Sequence, residues 1–248
     1  MSELIYGKHP ILEALRAHRR KIKRICYLQS SQRDEDREEI FHLAQGAGIP
    51  LQALGGQELE QLSGGASHQG LVAEVSPLVQ VPWKEFLARL EDAGETTLLA
   101  LDQIQDPQNL GALIRSGEAA GAAGILIPDR HSPPLSPAVN KASAGALEHL
   151  PVFRLPNLVR GLEQAKKLGF WIVGTQAKAG RSALDFDWPA KTVLVLGAED
   201  AGLRRLTSEA CDFLIQLPLP GKIFSLNVAQ AATACLFLRM QAGRKKNP

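Results

Sequence analysis

At 248 residues the chain exceeds the usual single domain and is sized for roughly one and a half to two domains. Its 45% apolar and 22% charged residues are the mixture of a folded globular protein and exclude a disordered or fibrous main state. Lys and Arg number 28 against 26 Asp and Glu, a net of +2, so total charge announces no nucleic-acid partner and any basic surface has to be local.

From the N-terminus, the pattern predicts a helix over 10–17, a strand over 22–28, an acidic-faced helix over 34–45, a turn at 46–50, a short helix over 57–62 and a strand over 70–75. These make a small α/β unit, residues 1–76. Arg16, Arg19, Arg20, Lys21, Lys23 and Arg24 crowd one stretch of it with no acid among them, whereas acids gather over 34–39. Such a basic edge is also what a solvated helix end and strand start would show. Residues 77–97 hold Pro77, Pro82 and an amphipathic segment over 83–90, and read as a linker with one helix.

Residues 98–248 alternate helical periodicity with short apolar runs at 98–101, 125–127, 152–155, 170–173, 193–196 and 213–217. Runs apolar on both faces between helices signal buried parallel strands, and hence an α/β open sheet. Ligands of such sheets bind at loops beyond the carboxyl ends of strands, which directs attention to 102–115, 197–202 and 218–227.

Other chemistries find little support. Cys26, Cys211 and Cys235 form no CxxC pair, and the six histidines show no metal-ligand spacing, so neither a disulfide framework nor a metal site is expected. The scattered cysteines fit a reducing cytoplasm best, and the longest apolar stretch, 226–240, is broken by Asn227, Gln230, Thr233 and Arg239, so no membrane span is expected. GTQAKAGRS at 174–182 departs from a phosphate loop in length and in its Arg, and no G-x-S-x-G elbow occurs.

Three segments remain: LDQIQDPQNLGALIRSGEAAG (101–121), LVLGAEDAGL (194–203) and IQLPLPGKIFSLNVAQAA (215–232). In this order they resemble the three motifs of the SpoU class of RNA ribose 2′-O-methyltransferases. LSPAVNKASAGALEHLPV (135–152) is similar to the segment between the first two motifs, while YGKHPILEAL and HQGLVAEVSP resemble the small ribosomal-protein-like substrate-binding domain. The resemblance covers nearly the whole chain. It implies a deep trefoil knot in a methyltransferase domain over 98–248, S-adenosylmethionine as methyl donor and a homodimer. The layout is closest to bacterial enzymes that methylate a guanosine in 23S ribosomal RNA. Transfer-RNA methylation, or an RNA-binding assembly factor without catalysis, are the alternatives.

Each motif residue also has an ordinary reading. Asn109 suits a helix N-cap, Arg115 a solvated charge or partner of Glu118, and Ser225 the cap of the last helix with Asn227 in its first turn. Glu199 suits an exposed turn, and Gly197 and Gly202 any tight one. The resemblance instead assigns Asn109, Arg115, Glu199, Ser225 and Asn227 to the reaction centre, and Gly197, Leu217 and Leu226 to the donor pocket. Asp200 stands where the family commonly has glycine. Glu148 becomes a candidate for dimer or substrate contact, and Lys8, Arg16, Arg19 and Arg20 would hold RNA phosphates.

Overall fold

The computed structural model of the chain describes residues 2–29, 34–198, 201–222 and 225–246. It packs as two units, Met1–Val79 with Pro134–His149, and Gln80–Pro133 with Leu150–Pro248.

The first unit opens with β1 (Glu3–Tyr6), α1 (Lys8–Ala17), β2 (Ile22–Leu28), α2 (Glu35–Gly46), β3 (Leu51–Leu54), α3 (Gly56–Ser63) and β4 (Leu71–Val75). Its sheet order is β1-β4-β2-β3, with β4 antiparallel to both neighbours and β2 parallel to β3. Ile11, Leu12 and Leu15 of α1 and Ile40 of α2 close over Ile25, Leu71, Ala73 and Val75. The two edge strands were not expected from the sequence. Each has four residues, too few for an alternation to register.

The chain then runs through α4 (Trp83–Ala88), β5 (Thr96–Asp102), α5 (Pro107–Ala119) and β6 (Gly124–Pro128) of the second unit. It returns to the first for α6 (Pro137–Ala142) and a 3-10 turn (Ala146–Glu148), which pack on β1 and α1. The second unit is completed by β7 (Val152–Leu155), α7 (Leu158–Lys166), β8 (Trp171–Thr175), β9 (Lys191–Gly197), α8 (Arg205–Glu209), β10 (Phe213–Ile215) and α9 (Val228–Lys246).

Its six strands pair in parallel, in the order β10-β8-β9-β5-β6-β7. Leu98, Ala100, Val193 and Val195 pack with Leu87 of α4 and Leu158 and Leu162 of α7. The alternate residues Leu99, Leu101, Leu194 and Leu196 are equally buried, so both faces of the sheet are covered and the runs are apolar throughout. Burial of each such leucine contributes about 1.5–3 kcal/mol. From β5 the strand order runs outward to β6 and β7, whereas β9 lies on the other side of β5. The sequence order therefore reverses between β5 and β9, where Asp102 faces Gly197 in register at the carboxyl ends. Such a switch point opens a crevice.

Candidate active site

The first motif segment leaves this crevice as α5. Pro107 occupies its first turn, and Asp106 is the N-cap, accepting from the backbone N–H of Gln108 at 3.1 Å and of Asn109 at 3.2 Å. The capping role expected of Asn109 is thus corrected: Pro107 fixes the helix start one residue after Asp106 and frees the Asn109 side chain. Leu110, Leu113, Ile114 and Gly117 face the sheet, where a Cβ on Gly117 would lie 3.1 Å from Leu150. Arg115 points away from them, exposed, and among the described residues it forms no ion pair, with Glu118 or any other.

The third motif segment enters α9. Asn227 Oδ1 accepts from Ala229 N–H at 2.9 Å, and Asn227 C=O accepts from Ala231 N–H at 3.0 Å, so Asn227 is the cap expected of Ser225. The Asn227 Nδ2 donates to Asn109 Oδ1 at 2.9 Å, joining two predicted residues. One turn or two further along, the Ser116 and Thr233 hydroxyls meet at 2.7 Å and Thr233 donates to Ala229 C=O. The helices α5 and α9 therefore start side by side. Ser225 and Leu226 stand exposed just before Asn227.

The second motif segment follows β9. Gly202 N–H donates to Ala198 C=O at 2.8 Å, and Gly202 has φ 64. A Cβ on Gly197 would fall 2.1 Å from the Gly202 carbonyl carbon, so glycine is required there by close approach. Glu199 and Asp200 lie outside the described residues. Just beyond, Arg204 meets the fully buried Asp102, with Nε at 2.7 Å and Nη2 at 2.6 Å from Oδ1. The sequence reading missed this pair, although an Asp ending an apolar strand was a visible signal. Leu217 is half-buried and lines, with Leu184, Ala234, Phe237 and Leu238, a groove of about 490 Å³ along α9.

The basic residues assigned to RNA lie in the first unit, and acids there already occupy most of them. Lys8 pairs with Asp34 and holds that carboxyl below the ordinary range. Arg16 bridges Glu39 at 2.6 Å and Glu13 at 2.8 Å, and Arg19 donates to Glu148 C=O at 3.2 Å. Arg20 is a correction: its side chain is 3% exposed, with Nη1 3.2 Å from Glu3 and Nε 3.0 Å from Glu148 Oε2, the latter an ion contact off the hydrogen-bond axis. A guanidinium enclosed by two carboxylates is withdrawn from an RNA surface. Glu148 is fully buried, and its other oxygen accepts from Asn140 Nδ2 at 2.7 Å. Burial pushes its carboxyl above the ordinary range, against the pull of Arg20 and Asn140. Lys21, exposed and in no ion pair among the described residues, borders with Lys23 a groove of about 460 Å³ closed by Ala47, Gly48, Ile49 and Pro50.

Among the described residues no group of three or more His, Cys, Asp and Glu is arranged to hold a metal, and no helix is long and apolar enough to cross a membrane.

A six-stranded parallel sheet whose switch point gathers these motif segments defines the class. The sequence model of the SpoU rRNA Methylase family matches residues 96–237, and that of the RNA 2′-O ribose methyltransferase substrate-binding domain matches residues 4–80. The chain belongs to the SpoU rRNA methylase family. Among individual proteins, it is 40% identical to the 23S rRNA (guanosine-2′-O-)-methyltransferase RlmB of Pseudomonas aeruginosa, over 95% of this chain and 94% of that one. It is 37% identical to the putative TrmH family tRNA/rRNA methyltransferase YacO of Bacillus subtilis, over 99% of this chain and 97% of that one. The solved structure of the SpoU methyltransferase AviRb from Streptomyces viridochromogenes, in complex with AdoMet, superposes with a TM-score of 0.80 at 25% identity, over 98% of this chain and 91% of that one.

Proposed function

We propose that this protein transfers a methyl group from S-adenosylmethionine to the 2′-hydroxyl of a guanosine ribose in 23S ribosomal RNA. The observation that carries the reading is the Asn227–Asn109 hydrogen bond, which unites the first and third motif segments. Arg115 stands roughly 9 Å further along the same helix axis. The name of the RlmB relative supplies the nucleoside and the RNA.

The residues present fit the donor. Gly197 lets the loop pack back on its own strand, Gly202 carries no side chain and leaves the main chain there open to close approach, and Leu226, 41% exposed, offers apolar surface to an adenine. When bound, S-adenosylmethionine supplies a methyl group on a sulfonium, open to in-line attack. Arg115 clamps the phosphate beside the target ribose through two donors and so holds the hydroxyl in attack position. A guanidinium offers donors and no acceptor, so Arg115 binds and positions and does not take the hydroxyl proton. Asn109 and Asn227 hold each other, and with Ser225 they line the approach to the hydroxyl. Glu199 completes the centre by its motif position.

Three further features belong to this reading. The α9 groove, with Phe237 42% and Leu184 61% exposed beside it, is an apolar face suited to a second copy of the chain in a homodimer. The family likeness supports a trefoil knot in the methyltransferase domain, residues 98–248. In the substrate-binding domain, residues 1–76, Lys8, Arg16 and Arg19 together with Lys21, which forms no ion pair among the described residues, meet RNA phosphates, and a ribosomal RNA substrate calls for a cytoplasmic enzyme. Residues 77–97 link the two domains.

The test is to map 2′-O-methyl groups in ribosomal and transfer RNA from cells with and without the gene. Loss of one guanosine methyl in 23S RNA is expected. The YacO relative, named for either RNA, favours transfer RNA as the second reading, and loss of a transfer-RNA methyl alone would establish it.

A further inference from the structure

We propose that Asp102 and Arg204 form a positioning pair that sets the loop after β9 for binding of the methyl donor, an inference that rests on the methyltransferase reading above. Asp102 is the last residue of β5, lies at the switch point opposite Gly197, and is 0% exposed. A carboxylate so buried needs donors. Among the described residues its donors come from one residue, the Arg204 backbone N–H at 3.0 Å to Oδ2 and its Nε at 2.7 Å to Oδ1, with Nη2 in ionic contact at 2.6 Å from Oδ1.

Arg204 immediately follows the motif segment that ends at Leu203. The end of β5 therefore grips the exit of the loop that begins at the end of β9. Two other contacts fix the same loop. Gly202 bonds back to Ala198 and backs onto Gly197 so closely that no Cβ fits. Leu203 lies over β8 at Gly174, where a Cβ would stand 2.8 Å from its Cδ1. The two ends of the loop, at Ala198 and from Gly202 to Arg204, are thus held on β5, β9 and β8.

Burying a carboxylate against a half-exposed arginine is no better than packed apolar groups at adding stability, so the pair's presence here needs another reason. Charged donors in fixed directions supply one, because they set the orientation of the chain that carries them. The same carboxylate stands one residue before Gln103, whose φ of 62 turns the chain toward α5. The pair thus ties the segment bearing Asn109 and Arg115 to the one that reaches Gly197 and Gly202. Neither side chain need touch the reacting atoms, and both act through the loop.

The test measures binding of S-adenosylmethionine and S-adenosylhomocysteine to the full-length protein by calorimetry, with thermal unfolding of the ligand-free protein alongside. Asp102→Asn and Arg204→Gln are each expected to weaken both ligands about tenfold or more. The double variant is expected to be no worse than the weaker single, and RNA binding to stay unchanged. Melting temperatures that fall while both dissociation constants stay within twofold of wild type would reduce the pair to a structural role and overturn the proposal, as would additive effects. If Arg204→Gln, which leaves the Asp102 carboxylate buried without its cation, does not fold, the double variant, which leaves no charge buried alone, decides by the same twofold limit. A wild-type protein that binds neither ligand overturns the methyltransferase reading instead.

Discussion

Asn227 donates to Asn109 at 2.9 Å across 118 residues of sequence, and the same side chain caps α9 by accepting from Ala229. One residue thus sets where α9 begins and holds a polar group of α5 in place. If the two amides act as a unit, removing either should cost nearly what removing both costs. Asn109→Ala and Asn227→Ala are each expected to lower methyl incorporation from labelled donor into 23S RNA about 100-fold, and the double variant to do no worse than the weaker single. Multiplying losses in the double variant would show that the residues work separately.

Arg115 is the exposed cation of α5, free of carboxylates among the described residues. Arg115→Lys keeps the charge and loses the two-pronged geometry, so turnover should fall by most of its value while calorimetric binding of the donor is unaltered. Near wild-type transfer by this variant would remove the clamping role.

Gly197→Ala tests the close approach at the end of β9. A methyl group 2.1 Å from the Gly202 carbonyl carbon has to displace the loop. Far-UV circular dichroism should remain that of the wild type, since the strand itself is deeply buried, while donor affinity drops at least about tenfold. Unchanged affinity would mean that the loop position is irrelevant to the donor.

Arg20 and Glu148 give a prediction about stability and pH. Arg20→Met leaves a fully buried carboxylate without its cation, at a cost of about 3–5 kcal/mol near neutral pH, read from urea unfolding. The sign follows from linkage. Burial already raises the folded-state value of Glu148, and losing Arg20, which lowers it, raises it further. The penalty is therefore smallest below the unfolded carboxylate value of about 4.3, where the group is neutral in both states, and grows as pH climbs through the folded value. A penalty independent of pH would show that Arg20 acts by packing alone.

The parts of the fold legible in the sequence are those whose cause is local. β5 and β9 announce themselves because both faces are covered, which forces uninterrupted apolar runs. β1 and β3 do not, being four-residue edge strands. At the site, the motif order pointed to Asn109, Arg115 and Asn227, but the caps were exchanged: Pro107 makes Asp106 the cap of α5, and Asn227 takes the role expected of Ser225. The first of these was readable, since proline at the first helical position names its predecessor. Nothing local could tell that Arg20 would be closed off by Glu148, 128 positions away in the chain, or that Arg204 would seek Asp102. Such pairings exist only once distant segments have packed.

The excursion of Pro134–His149 into the first unit bears on how the protein is born. Residues 2–79, Glu3 included, leave the ribosome early, but the second carboxylate beside Arg20 follows only when Glu148 emerges. At about 5–20 residues per second that delay is roughly 4–14 s. For this interval the nascent N-terminal segment has Arg20 covered by Glu3 alone and an uncovered flank on β1 and α1, which is when a chaperone, or the ribosome's own RNA, has access to it.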